Sequence, residues 1–265
     1  SIKLIFLSQI LKGTADGQLM MNAHKIKQDI CEIGRRIYNK GFAAANDGNI
    51  SARLSADRIL CTPTGVSKGY LSEHMLAICD MDGEQIAGSM KISSEIRMHL
   101  EIYKLRSDVN SVVHAHPPTA TGFAVAGIEL TQCVLPEVIV SLGGVPLAAY
   151  GTPGGPDIVE PMKPLLRQYD AVLMANHGVV TLGQHVMDAH FKMETVEHFA
   201  KIALVAHQLG SVGTLADKDV DDLVALRDRF GIGNRPVCER QPGAPSGDGG
   251  DLVERITEEV LRQLR

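Results

Sequence analysis

The sequence predicts an α/β protein, one sheet covered by helices. Three observations carry that prediction. Short apolar, β-branched runs alternate with segments of helical period from residue 23 to residue 209. Gly, Pro, Asn and Asp punctuate the changes of period. A chain of 265 residues that is 45% hydrophobic suffices for one sizeable domain, or one domain plus a tail.

The elements follow in order. Residues 23–40 read as an amphipathic helix, because Ile26, Ile30, Ile33 and Ile37 recur at helical spacing and Gly41 ends it. Residues 49–54 and 58–62 are strand-like, and residues 63–69 are rich in turn formers. Residues 75–79 form a further strand, closed by Asp80-Met81-Asp82-Gly83. A helix opens at Ser93-Ser94 with Glu95 in its first turn, an N-cap pattern, and carries Ile96, Leu100, Tyr103 and Leu105. Residues 109–115 are a strand stopped by Pro117-Pro118, and 119–126 a short helix. Strands at 145–149 and 171–175 flank a proline-punctuated helix at 157–169. Residues 179–182 are a strand and 186–209 a long helix.

Four segments result. Residues 1–22 are an N-terminal extension, Met20 and Met21 setting off its first nineteen residues, and residues 23–234 are the main domain. Residues 235–250, with Pro236, Pro242, Pro245 and four glycines, are a flexible linker. Residues 251–265 are a C-terminal amphipathic helix: Leu252, Val253, Ile256, Val260, Leu261 and Leu264 form one stripe. A helix this short is marginal in water alone, so its apolar stripe needs a partner.

Composition excludes several classes of function. A net charge of −5 with no Lys/Arg run offers no footprint for nucleic acid, and the absence of Trp removes the best stacking platform. The run Leu4-Ile5-Phe6-Leu7 is far too short to span a membrane and lacks signal-peptide flanks. Five scattered cysteines without a CxxC pair read as reduced thiols of a cytoplasmic protein.

The chemistry concentrates in Val112-Val113-His114-Ala115-His116-Pro117. Residues i and i+2 of a strand share a face, so both imidazoles can reach one ion, and Pro117 ends the strand there. His177, in Ala175-Asn176-His177-Gly178, closes another apolar strand. Three imidazoles suit Zn2+ and leave a position open for substrate; three unrelated histidines at strand ends are the alternative. Glu95 either caps its helix or serves this site. Ser93 and Ser94 before that helix, the turn containing Gly48 and Asn49, and the turn containing Thr64 and Gly65 are each ordinary as turns. Together, beside one carboxylate, they point to a phosphate cradle.

Taken in order, Gly48-Asn49-Ile50-Ser51, Thr62-Pro63-Thr64-Gly65, Ser93-Ser94-Glu95, His114-Ala115-His116 and Asn176-His177-Gly178 resemble the class II aldolase/adducin family. The resemblance is closest to the L-fuculose-1-phosphate aldolase branch and covers residues 23–209. It implies a three-layer fold, with a central, mainly antiparallel sheet flanked by helices, in homotetramers with active sites at subunit interfaces. It implies Zn2+, one per subunit, on His114, His116 and His177, with Glu95 as fourth ligand at rest and acid/base in turnover. Gly48, Asn49, Thr64, Gly65, Ser93 and Ser94 would hold the phosphate of a ketose substrate. The implied reaction splits a deoxyketose 1-phosphate to dihydroxyacetone phosphate and a small aldehyde such as lactaldehyde. It runs through an enediolate whose charge the metal neutralises, so no lysine Schiff base is needed.

One position departs from the family pattern. Where the fucose aldolases carry a tyrosine ahead of the Gly143-Gly144 turn, this chain has Glu137. Glu137 is then an acid or base, a mark of a different 5-deoxyketose, a mark of a dehydratase acting on methylthioribulose 1-phosphate, or a surface carboxylate. The motifs are also compatible with an epimerase or decarboxylase on the same scaffold, and with an adducin-like interaction protein. The linker and terminal helix resemble encapsulation peptides, which places the enzyme in the cytoplasm or a bacterial microcompartment lumen with shell proteins as partners. A helix packed on its own tetramer, or a lid, is the alternative for residues 251–265.

Overall fold

The computed structural model of the chain describes residues 22–155, 158–232 and 236–240. The sheet grows outward from two strands whose residues are buried on both faces, β5 (Ser111–Ala115) and β8 (Gly178–Gly183). β1 (Asn49–Arg53), β2 (Ile59–Cys61), β3 (Ala77–Cys79) and β4 (Gln85–Ala87) extend it on one side. β7 (Ala171–Met174) and the short β6 (Leu147–Ala148) extend it on the other. The order is β4-β3-β2-β1-β5-β8-β7-β6, antiparallel throughout except for the β6–β7 pair.

Strand alternation decides what covers each face. Val113 and Ala115 pack with Ile30, Ile33 and Ile37 of α1, whose described residues are 22–39, and with Val196 and Phe199 of α6 (Val186–Gln208). Val112, one residue before Val113 and so on the opposite face, packs with Met98 and Ile102 of α2 (Ile96–Leu105) and Leu166 of α5 (Lys163–Leu166). The result is the three-layer arrangement expected, helices on both faces of a mainly antiparallel sheet. α3 (Pro118–Ala126) joins the α6 layer, and α4 (Pro136–Ser141) packs with α7 (Asp217–Arg229) at the sheet's side.

Several elements differ from the expectation, for local reasons. The helix expected over 157–169 contracts to α5: Pro161 breaks the pattern ahead of it, and Pro164 sits in the first turn of α5, where its missing N–H is not needed. The strand expected over 145–149 is only Leu147–Ala148; Pro146 interrupts it, and Val145 pairs instead with Leu130. Glu73–Met75 is a 3-10 turn ahead of β3. The exposed β4, and α4 and α7, were not expected. α7 is polar along most of its length and buries only Val220 and Arg227, so its apolar period is faint.

The cysteine expectation is corrected. Cys133 and Cys238 form a disulfide; Cys31, Cys61 and Cys79 are free and buried. Residues 236–240, read from sequence as linker, run beside the loop around residue 132: Glu239 N–H donates to the Thr131 carbonyl at 2.7 Å. That alignment brings the two Cα atoms to 5.1 Å. Of the extension at 1–22 only Asn22 is described, and it begins the described part of α1; the rest of it, the rest of the linker and the helix at 251–265 lie outside the described residues. Among the described residues no helix is long and apolar enough to cross a membrane.

Candidate metal centre

Three elements deliver three histidines to one point. His114 lies in β5, opposite Asn49 of β1 and Val180 of β8. His116 follows the strand's end, its N–H donating to the Phe42 carbonyl at 2.7 Å. His177 projects from the tight β7–β8 connection, where Asn176 takes φ 56°, a left-handed conformation that asparagine tolerates better than most residues. One ligating atom from each of the three lies within 4.8 Å of the others. The ring centroids stand 4.8 to 5.1 Å apart. His114 Nδ1 donates to the Val179 carbonyl at 2.9 Å, which leaves the lone pair on Nε2, facing the group.

Glu95 is the N-cap residue of α2 and closes the fourth side. Its Oε1 is 3.4 Å from His177 Nε2, and its Oε2 is 3.8 Å from His114 Nε2. Asn49 Nδ2 donates to that Oε2 at 2.5 Å, so Asn49 orients the carboxylate. Behind it, Ser51 Oγ bridges His99 Nδ1 at 2.7 Å and the Tyr103 hydroxyl at 2.8 Å.

The electrostatics favour neutral imidazoles at His114 and His116 beside an ionised Glu95 carboxylate. Burial holds His114 down at about 3 against the pull of Glu95, and burial followed by the His177 charge lowers His116. For Glu95, burial alone would raise the carboxyl. The His177 hydrogen bond and the charges of His114, His177 and His99 outweigh it and hold the group at about 2. Neutral imidazole and carboxylate are the forms that bind a divalent cation, so the donor set fits Zn2+.

Beside this group lies a cavity of about 260 Å3. Gly48, Thr64, Ser93, Ser94, Glu95, His116 and His177 line it. Gly48 is at φ 75°, and a Cβ there would stand 2.9 Å from the His114 carbonyl oxygen, so only glycine brings this loop so close to the strand. Asn49 reaches the site through Glu95 rather than through the cavity wall. Gly65 is an exposed turn residue off the wall, and Glu137 sits exposed in the first turn of α4, also off the wall. Sequence reasoning missed Asp47, Lys68 and Gly154, which do line the cavity. It also missed Glu197 of α6, which accepts from the N–H groups of Thr119 and Ala120 and pins the helix that follows Pro117. Lys68, three residues beyond Gly65, carries no sequence signal distinct from a surface lysine.

The sequence profile of the Class II Aldolase and Adducin N-terminal domain matches residues 28–204, a span holding every one of these side chains. The chain belongs to the class II aldolase/adducin family. It is an enzyme of that family, with both an aldolase and a decarboxylase among its relatives. The 3-oxo-tetronate 4-phosphate decarboxylase of Haemophilus influenzae is 32% identical over 201 residues, 74% of this chain and 95% of that one. The L-fuculose phosphate aldolase of Methanocaldococcus jannaschii is 33% identical over 179 residues, 68% and 96% of the two chains. A solved L-fuculose 1-phosphate aldolase superposes with a TM-score of 0.71 at 27% identity, covering 78% of this class II aldolase homologue and 96% of its own chain.

Proposed function

We propose that the chain is a zinc-dependent lyase that breaks a carbon–carbon bond near the ketone of a small phosphorylated substrate. The first reading is cleavage of a ketose 1-phosphate of the L-fuculose 1-phosphate type to dihydroxyacetone phosphate and a small aldehyde such as lactaldehyde. One observation carries it: three imidazole nitrogens and one carboxylate converge beside a cavity whose wall offers small hydroxyl and backbone donors.

His114, His116 and His177 would hold the zinc, with Glu95 as the ligand that substrate displaces. Bound there, zinc supplies a Lewis acid that polarises the substrate's ketone. Glu95 starts ionised, so it must first take a proton, and the hydroxyl that becomes the aldehyde provides one. The same carboxylate then returns a proton to the carbon that keeps the bonding electrons. Thr64, Ser93, Ser94 and the backbone at Gly48 hold the phosphate, and Gly65 and Asn49 shape that wall indirectly. Glu137 has a catalytic place only where a neighbouring copy brings it to this cavity, as interfacial sites in a homotetramer would require.

Decarboxylation of a phosphorylated 3-oxo acid is the second reading, favoured by the Haemophilus influenzae relative. It uses the same electron flow, with carbon dioxide leaving in place of the aldehyde; the departing carboxylate brings no proton, so water supplies the one that Glu95 passes to the carbon. The zinc-loaded protein, given L-fuculose 1-phosphate and 3-oxo-tetronate 4-phosphate separately, distinguishes the readings. Dihydroxyacetone phosphate from the former supports the aldolase, carbon dioxide from the latter supports the decarboxylase, and neither product from either sinks both.

The proposal extends to address. Residues 251–265 dock on a microcompartment shell protein, and the enzyme works in the cytoplasm or that lumen. Deleting 251–265 then leaves oligomer and turnover unchanged but abolishes co-sedimentation with shells; lost turnover would favour a lid.

A further inference from the structure

Lys68 is 1% exposed, yet it borders the cavity beside the metal centre. Its Nζ donates to the carbonyls of Asn46 at 2.9 Å and Val66 at 2.7 Å. An ammonium has three donors, so one is left after these two. Among the described residues no carboxylate lies within ion-pairing distance of it, and burial lowers the amine to about 8 despite the charges of Asp47 and Glu95. A buried cation without an ion-pair partner is costly, and the cost persists until an anion arrives.

The position is also rigidly defined. A Cβ on Gly34 of α1 would stand 2.5 Å from the Lys68 carbonyl oxygen, so the bare glycine lets the helix clamp this turn directly. Lys68 is the one lysine or arginine on the described cavity wall, where Asp47 and Glu95 add negative charge. The hydroxyls of Thr64, Ser93 and Ser94 can orient a phosphate but cannot offset two carboxylates.

We infer that Lys68 is the fixed cation of the anion subsite and pairs directly with the substrate's phosphate group. The inference rests on reading this cavity as the phosphate site, and it holds whichever carbon–carbon bond is broken. A residue that only braced the two loops would not make anion affinity follow its own charge.

The test is calorimetric titration of inorganic phosphate into zinc-loaded wild type and Lys68→Met at pH 7.5 and 9.5. Phosphate is mostly dianionic at pH 7.5 and wholly so at 9.5, a change that by itself favours binding to a cation, and zinc-bound water titrates in both proteins. The expected result is at least tenfold weaker binding to Lys68→Met at pH 7.5. Wild-type affinity should also fall several-fold by pH 9.5, and that of the variant by less. Equal affinities at pH 7.5 would overturn the inference. Should the variant not fold, a wild-type affinity that is flat across the two pH values overturns it equally. Wild type that binds no phosphate would remove the phosphate cradle itself. Binding weakened by Ser94→Ala but not by Lys68→Met would remove only the role of Lys68.

Discussion

The missing side chain of Gly178 is what lets His116 lie where it does. A Cβ at position 178 would stand 2.5 Å from Cδ2 of the His116 ring and 2.6 Å from the Ala115 carbonyl oxygen. The hairpin that presents His177 is thus packed directly against the strand end that presents His116. Two histidines from distant parts of the sequence are brought together by this close packing around one glycine.

Gly178→Ala should therefore shift the proposed metal site without replacing any of its histidines. Overpacking costs about 1–3 kcal/mol, which corresponds to roughly tenfold to hundredfold weaker zinc binding where the ring gives way. Competition against a chromophoric chelator measures it. Wild-type zinc affinity in the variant would refute the contact's importance.

Glu95→Gln separates ligand from acid/base. The amide keeps the shape and can still accept from Asn49, while the three imidazoles remain to hold zinc. Elemental analysis should still find one zinc per chain, with kcat reduced by roughly 10²–10⁴. An active variant would strip Glu95 of its proton-transfer role.

Much of this site could be read before the fold was known, because its signals are local. His114 and His116 share a face by strand period alone, and Pro117 marks the strand's end. Glu95 announces itself through the two serines ahead of it. Lys68 and Glu197 were illegible for the opposite reason. Each is a charged side chain that burial makes significant, and burial is a property of elements brought together over long stretches of chain. Glu197 meets Thr119 across 78 residues. The disulfide was illegible too, since the pairing of residues 236–240 with the loop at residue 132 follows no periodic pattern.

Burial of His99 against Ser51 makes acid stability a test of the network behind Glu95. Burial holds His99 at about 4, against an ordinary value near 6.5. Between these values the unfolded chain binds a proton that the folded chain does not, so stability falls as pH drops from 6.5 to 4. The window is worth at most about 3 kcal/mol. In urea melts of metal-free protein, wild type should lose up to that amount relative to His99→Gln across the window. A constant gap between the two would show that His99 protonates freely in the folded chain.

The Cys133–Cys238 bond makes the last prediction a count. Denatured without reductant, the protein should present three titratable thiols per chain, those of Cys31, Cys61 and Cys79, and five after reduction. Five thiols at the outset would mean that residues 236–240 are held to the loop at residue 132 by hydrogen bonds alone. With the bond intact, a cross-link spanning 105 residues restricts the unfolded chain severely. In the loop-entropy limit its removal by Cys238→Ser costs roughly 4–5 kcal/mol. That loss should appear in the global unfolding transition, while zinc binding by the three histidines, none of which touches this loop, stays unchanged.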